Sequence, residues 1–374
     1  MPHSTLRQAM IRVLAIILFS VLQMGLCKAD DPFHFVYENS PGPVSIQIIW
    51  LDSDTGNAFL NKQIALKAAL EVGTEKYIQE KFKSLSIDYR IEWEVQSEAG
   101  IHRLGVAFAN LKKDLALDML DQVLNHNSFA MAQLAAWKKS ELYHYNYYRY
   151  DSDSLMKWWM TGKEAYYERL KDFDLENLKV KSLSELLGKA QLVSAVGLLP
   201  EAEIRNSLSN IIETQARKVG LAKPGQNDLI RPRDKSSSVL GATLATSGNP
   251  LLAAVYYEIV TGSVTLKQTR FQPHKTASLW TRNYLVDSSL NAKGFHDAVL
   301  VLNDEKLEQV KDMVLTKYLL WLEYNKNQAL ANAYVELGFW NDEMADQFAN
   351  EMPSETREQI GRIKWTFYEW RAKP

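Results

Sequence analysis

The sequence predicts an α+β protein made of two topologically related domains, each a layer of helices on an antiparallel sheet, the second one shorter. Three observations carry this. Short β-rich segments alternate with long helical runs, the pattern of helices packed on one side of a sheet. The order strand, helix, strand pair, helices occurs twice, with little sequence identity between the halves. The chain has 374 residues and is 46% hydrophobic and 24% charged, which gives globular composition and room for two ordinary domains. A formal net charge of −2 gives no electrostatic case for a nucleic-acid partner. The expected boundaries are a signal segment over 1–29, a first domain over 30–218, a linker over 219–238 and a second domain over 239–374.

Arg7 and Arg12 precede the apolar run Val13–Leu26, and Cys27-Lys28-Ala29 offers small residues at the −3 and −1 positions. This is the layout of a secretory signal peptide cleaved after Ala29. Two alternatives stay open. A retained anchor would need a longer apolar run. Lipidation of Cys27 would put the bulky Leu26 where a small residue is expected. Cleavage removes Arg7, Arg12 and Lys28 and no acid, so the net charge falls from −2 to −5. Cys27 is the only cysteine, so the mature chain has no disulfide and no thiol nucleophile.

Asp30–Pro43 is an irregular lead-in with three prolines. Val44–Leu51 (VSIQIIWL) has the β-branched and aromatic content of a strand. Asp52–Asn57 is turn chemistry that can cap the next helix. That helix is expected within Thr55–Lys76, ending at Gly73-Thr74, with Leu60, Ile64, Leu66 and Leu70 on its buried side. A short helix over Glu75–Ser84 follows. Asp88–Gln96 alternates, with Tyr89, Ile91, Trp93 and Val95 facing one way, and Ile101–Ala109 is its partner strand. Leu111–Leu124 and Phe129–Tyr148 are helical. After the polar break Asp151–Ser154, helix continues to about Leu187. Gln191–Gly197 is a returning strand, and Ala202–Arg217 a helix. Val219–Ser238 has no apolar period and reads as the linker. In the second half, Ser238–Thr246 is a strand and Leu251–Thr261 a helix. Ser278–Leu285 and Phe295–Leu302 are strands, and Glu305–Tyr324, Gln328–Leu337 and Ser354–Trp370 are helices.

This order resembles the pitrilysin/insulinase-type metallopeptidases, the M16-like family whose motif is the inverted zinc signature His-x-x-Glu-His. Val44–Leu51 resembles the family's first strand, and Lys62–Lys76 its zinc helix. Gly73-Thr74 matches the Gly-Thr that follows the motif. Glu75–Ala109, Leu192–Ile204, Leu251–Leu302 and Ala331–Ile360 resemble later segments, in the family's order. With Gly73-Thr74 as anchor, the resemblance puts the two zinc histidines on Ile64 and Ala68 and the catalytic Glu on Lys67. The third ligand falls near Glu141–Tyr145, where Glu141 and His144 stand. The second-domain Arg and Tyr that bind the substrate carbonyl fall on Lys275 and on Leu279 or Trp280. Isoleucine and alanine donate nothing to zinc, an ammonium repels it, and the base that would activate water is missing.

The resemblance therefore implies a non-catalytic homologue with no cofactor, and the signal segment implies export to the periplasm of a Gram-negative bacterium. Members of the family commonly work as pairs in which one subunit holds the metal and the other lacks it. This chain would be the metal-free partner of a zinc-bearing subunit, or a binding or scaffold component of an envelope complex. One alternative is a metallopeptidase with a displaced site using Glu141 and His144. Another is a free-standing peptide- or glycan-binding protein.

That last reading rests on the aromatic stretch holding Tyr143, Tyr145, Tyr147, Tyr148, Tyr150, Trp158 and Trp159, continued by Tyr166-Tyr167. Such rings suit a wet binding cleft; the plainer alternative is that they pack between helix layers. The seven histidines, His3, His34, His102, His126, His144, His274 and His296, show no pairing at ligand spacing. His102, among strand residues, is expected at the surface or an interface. No Gly-x-Ser-x-Gly elbow supports Ser-His-Asp catalysis, and Gly262-Ser263 lacks the glycine pattern of a phosphate loop. Arg231–Lys235 (RPRDK) reads as solvated linker.

Overall fold

The computed structural model describes residues 35–81, 91–98, 100–109, 112–125, 129–148, 158, 163–179, 183–209, 229–233, 239–245, 250–252, 254–255, 258–259, 269–272, 276–282, 301–362 and 365–372. The expected signal segment lies outside them. Among the described residues no helix is long and apolar enough to cross a membrane.

The first sheet contains β1 (Phe35–Glu38), β2 (Val44–Leu51), β3 (Ile91–Glu98), β4 (Ile101–Phe108) and β5 (Leu192–Val196), in the order β1-β5-β2-β4-β3. The second contains β6 (Leu229–Arg233), β7 (Val239–Ala245), β8 (Thr269–Gln272), β9 (Thr276–Arg282) and β10 (Trp365–Ala372), in the order β6-β10-β7-β9-β8. In each sheet the first strand pairs parallel with the last, and every other pairing is antiparallel. The duplication of topology thus extends to every strand.

This is more symmetric than the sequence reading. The expected final helix over 354–370 is a helix over Pro353–Arg362 followed by β10. Trp365–Ala372 (WTFYEWRA) is rich in aromatic and β-branched side chains, which favour a strand. The second half therefore has its own returning strand. Leu229–Arg233, within the stretch read as linker, is β6; Pro232 sits in this edge strand, where no second partner claims its missing N–H. Phe35–Glu38, in the expected irregular lead-in, is likewise an edge strand. The described strand pair of the second half is β8–β9; β9 overlaps the strand expected over 278–285, and residues 283–300, which hold most of the other expected strand, lie outside the described residues.

The first-half helices are α1 (Gly56–Lys81), α2 (Lys113–Asn125), α3 (Met131–Tyr148), α4 (Lys163–Asp172), α5 (Glu176–Lys179), α6 (Leu183–Leu187) and α7 (Glu201–Leu208). Those near the C-terminus are α8 (Asp304–Leu322), α9 (Asn325–Glu336), α10 (Met344–Asn350) and α11 (Pro353–Arg362). The helix expected to stop at Gly73-Thr74 does not stop there: α1 runs unbroken to Lys81. Thr74 donates its hydroxyl back to the Leu70 carbonyl at 2.6 Å, so this polar side chain is satisfied within the helix. Gly73 lies against Val123 of α2 and Phe129, inside the packed layer.

Each strand presents alternate residues to opposite faces. On one face of the first sheet, Ile46, Ile48, Trp50, Leu104, Val106, Val193 and Ala195 pack with Ile64, Leu66 and Leu70 of α1 and with α2. Ile91, Trp93 and Val95 of β3 join this face as the alternation predicts. On the other face, Ile49, Ile101 and Leu192 meet Leu330, Ala333 and Tyr334 of α9, with Trp340 and Met344 alongside. The first sheet is thus covered on one side by helices that follow its own strands and on the other by a helix from the second half of the chain.

Candidate functional site

The helix α1 crosses the inner face of the first sheet and carries the three residues singled out by the sequence. Ile64 and Ala68 are fully buried, in contact with the sheet layer. Lys67, three residues after Ile64, points instead toward α3 and α4. Its ammonium is ion-paired with the Glu141 carboxylate on α3, and Glu71 Oε1 lies 3.7 Å away, one turn along α1. Trp137 of α3 donates its indole N–H to Glu71 Oε2 at 2.7 Å. The Tyr166 ring of α4 lies under the Lys67 ammonium, 5.8 Å from nitrogen to ring centre. One cation is therefore held by two carboxylates and an aromatic face, where α1, α3 and α4 meet. Burial, and then the charge of Glu141, raises the pKa of the Tyr166 hydroxyl well above its ordinary value, so this ring stays neutral.

This chemistry does not fit zinc. Structural and catalytic zinc sites need imidazole, thiolate or carboxylate donors. Ile64 and Ala68 present hydrocarbon, and the Glu141 carboxylate is already engaged by an ammonium. His144 is exposed on α3, one turn beyond Glu141. Among the described residues, no group of three His, Cys, Asp or Glu side chains has metal-holding geometry.

The aromatic stretch divides between inside and outside. Tyr145 and Trp158 are buried, stacked with ring centres 5.6 Å apart, and both lie against Tyr167, at 4.8 and 5.1 Å. The Tyr145 hydroxyl donates to Glu168 Oε1 at 2.8 Å. Tyr143 and Tyr147 are 67% and 66% exposed and stack on one another along the outer side of α3. The helical period explains the division: Glu141 and Tyr145 are four apart on the inner face, Tyr143 and Tyr147 four apart on the outer. Tyr148 belongs to α3, while Tyr150 and Trp159 lie outside the described residues. Leu279 and Trp280 fall in β9, and Lys275 lies outside the described residues.

A second polar centre was missed by the sequence reading. His102 is not at the surface: it is fully buried, between Asp52 and Ser97. Its Nε2 lies 3.0 Å from Asp52 Oδ2 and its Nδ1 lies 2.8 Å from Ser97 Oγ. The ring stacks on Phe59 at 4.3 Å. Asp52 also accepts from the backbone N–H of Asp54 and from Lys62 Nζ, both at 2.9 Å, and Lys62 reaches Asp54 as well. Since an ionised Asp52 only accepts, Nε2 donates to it and Nδ1 accepts from the Ser97 hydroxyl, with the imidazole neutral. Burial holds the His102 pKa below its ordinary value, against the pull of Asp52. For Asp52, burial acts upward, but the hydrogen bonds from His102, Asp54 and Lys62 prevail and hold it well below the carboxylate range. Strand alternation was the available signal: His102 shares its face with Leu104 and Val106, and the pairing puts Ser97 and Trp50 directly across from it.

No protein-family model and no curated protein matches the chain. Solved structures do. A conserved protein from Enterococcus faecalis superposes with a TM-score of 0.64 at 11% identity, covering 91% of this chain and 96% of that one. The peptidase M16 inactive domain from Pseudomonas fluorescens gives 0.61 at 14% identity, covering 91% and 94%. Pitrilysin gives 0.59 at 11% identity over 90% of this chain and 42% of its own. The fold is pitrilysin-like, and it spans nearly the whole chain. At these identities the likeness speaks for the fold alone.

Proposed function

We propose that this protein is a non-catalytic pitrilysin-like protein in which the Lys67–Glu141 ion pair stands where active relatives hold their metal. The single observation that carries this is the pairing itself. The resemblance places the catalytic Glu on Lys67 and the third zinc ligand near Glu141. In the fold these two side chains meet, and a fixed ammonium supplies the positive charge that Glu141 needs. Ile64 and Ala68, at the histidine positions, are part of the packed core. Lys67 cannot serve as a general base toward a metal-bound water, because its side-chain nitrogen is engaged in the ion pair with Glu141.

The role that follows is binding or scaffolding rather than hydrolysis. We assign the protein, on the layout of its first 29 residues, to the periplasm of a Gram-negative bacterium. Its partner is a zinc-bearing pitrilysin-like subunit or another component of an envelope complex. The description of the Pseudomonas fluorescens neighbour as an inactive domain supports the idea that this fold is used without its chemistry.

Affinity purification of the exported protein from its own cells tests the reading. A stoichiometric protein partner, with peptide hydrolysis appearing only in the complex, is the expected result. An isolated monomer that hydrolyses peptides and loses the activity to a chelator would overturn it.

A further inference from the structure

Ser97, His102 and Asp52 stand in line at the turn end of the β3–β4 hairpin. Ser97 and His102 are directly opposite one another on the two strands. The Gly100 carbonyl accepts from the Asp52 N–H at 2.9 Å, so Gly100 and, two residues on, His102 turn their backbone groups toward β2. The Ser97–His102 pair therefore exchanges no backbone hydrogen bonds, and in such pairs the side chains approach most closely. Here the Ser97 hydroxyl reaches His102 Nδ1 at 2.8 Å. The same register turns the N–H and C=O of Ser97 away from β4. They face the edge of the sheet, where β3 is the last strand among the described residues.

The imidazole between Ser97 and Asp52 is held from several sides. Its Nε2 lies 3.0 Å from Asp52 Oδ2, Asp52 is itself held by Lys62 Nζ and the Asp54 N–H, and Phe59 stacks on the ring. Asp52 accepts the hydrogen bond from Nε2–H, which leaves the lone pair of Nδ1 for the Ser97 hydroxyl. The charged groups around the ring are Asp52, Asp54 and Lys62, and burial prevails over the two carboxylates to keep the imidazole neutral. A neutral imidazole can take up a proton. His102 and Asp52 are buried, whereas Ser97 is half-buried and within reach of solvent.

We infer that Ser97 is an activated nucleophile that accepts acyl groups from carboxylic esters, with His102 as its general base and Asp52 as the residue that orients the base. Serine–histidine–aspartate sets are recognised by geometry and roles rather than by sequence position. Here the two ring nitrogens have exchanged their usual partners, and either nitrogen of a neutral imidazole can be the acceptor. In the step, Oγ bonds to the ester carbonyl carbon while its proton passes to Nδ1. The carbonyl oxygen becomes an oxyanion, for which the Ser97 N–H at the strand edge supplies one donor. Asp52 balances the imidazolium. The oxyanion then collapses, the bond to the leaving alcohol breaks, and the alcohol departs with the proton from Nδ1. The products are an acyl-serine and a free alcohol. The step needs no metal and is independent of the role proposed for Lys67.

Labelling of the purified full chain with a fluorophosphonate probe, in the presence of a chelator, tests it, with the adduct located by peptide mass spectrometry. The probe stands in for the ester: Oγ bonds to phosphorus and fluoride leaves. The expected result is one adduct per chain, on Ser97, and release of p-nitrophenolate from p-nitrophenyl acetate; Ser97→Ala abolishes both. Rates are compared among variants that keep the wild-type circular dichroism. His102→Gln slows labelling of Ser97 by about 100-fold or more. Asp52→Asn slows it by about tenfold or more. Asp52→Glu, which keeps the carboxylate, recovers most of the rate, a recovery that a purely structural role for Asp52 does not give. No adduct on the wild type, or an adduct that persists in Ser97→Ala, overturns the inference. So does labelling of His102→Gln at the wild-type rate. Asp52→Glu as slow as Asp52→Asn overturns the role given to Asp52.

Discussion

Lys67 of α1 and Glu141 of α3 are 74 residues apart in sequence and joined as an ion pair in the fold, in a pocket floored by the Tyr166 ring. The Glu141 side chain is only 10% exposed and Lys67 23%, so neither charge is well solvated. Such a pair costs most when one member is lost, because the survivor is left buried and unbalanced.

Lys67→Met should therefore destabilise the protein by about 2 kcal/mol, the lower end for buried pairs because solvent still reaches the ammonium. Lys67→Met/Glu141→Leu should recover most of that loss, since two apolar side chains leave no charge behind. Urea unfolding of the single and double variants measures the coupling. A neutral single variant contradicts the arrangement.

The His102–Asp52 centre gives a pH dependence whose sign is fixed. The His102 pKa is lower in the folded state than in the unfolded chain, so the neutral ring contributes stability at neutral pH. That contribution is lost as pH falls below the unfolded-state value of about 6.5. Asp52 is also held low, so its contribution is present above the ordinary carboxylate range and lost as pH falls toward its folded value. The thermal midpoint should be flat near pH 7 to 8 and fall steadily on acidification below about 6.5. In His102→Gln the upper part of this limb should flatten, while the part below about pH 4 persists. An identical limb in the variant would show that His102 does not set it.

Two glycines should respond in opposite ways. Gly73 is inside α1, and a methyl group there would meet Val123 and Phe129 at 3.5 and 3.6 Å, ordinary contact distances. Gly73→Ala should raise stability by about 0.5–1 kcal/mol through helix propensity. Gly197 has φ +150° and its added methyl would sit 2.8 Å from Val44 Cα, a backbone atom of the central strand. Gly197→Ala should cost about 2 kcal/mol or more. Chemical denaturation of both variants checks the pair.

Much of this architecture is legible in the chain. The alternation of Ile91, Trp93 and Val95, the apolar run of β2 and the helical run of α1 each give the right element on the right face. The misreadings have physical causes. Gly73-Thr74 has the composition of a helix end, but the glycine is packed against Val123 and Phe129 inside α1, and the threonine bonds back into its own helix. β6 and β10 are adjacent strands far apart in sequence, so neither shows its partner locally. Trp365–Ala372 follows a true helix and was absorbed into it. Within the candidate site, the residue types at Ile64, Lys67 and Ala68, none of them a zinc donor, are readable directly. The meeting of Lys67 with Glu141, and the placement of His102 between Asp52 and Ser97, depend on helix crossing and strand register, which no local pattern states.

The most direct measurement is zinc content by elemental analysis of the purified wild-type protein and of Ile64→His/Lys67→Glu/Ala68→His, side by side. That variant frees Glu141 from its ammonium and supplies imidazoles at the two positions where the resemblance puts the zinc histidines. The account predicts no stoichiometric zinc in the wild type and about one zinc per chain in the variant, held with Glu141 as the third protein ligand. Stoichiometric zinc in the wild type, or a folded variant that takes up none, would contradict it.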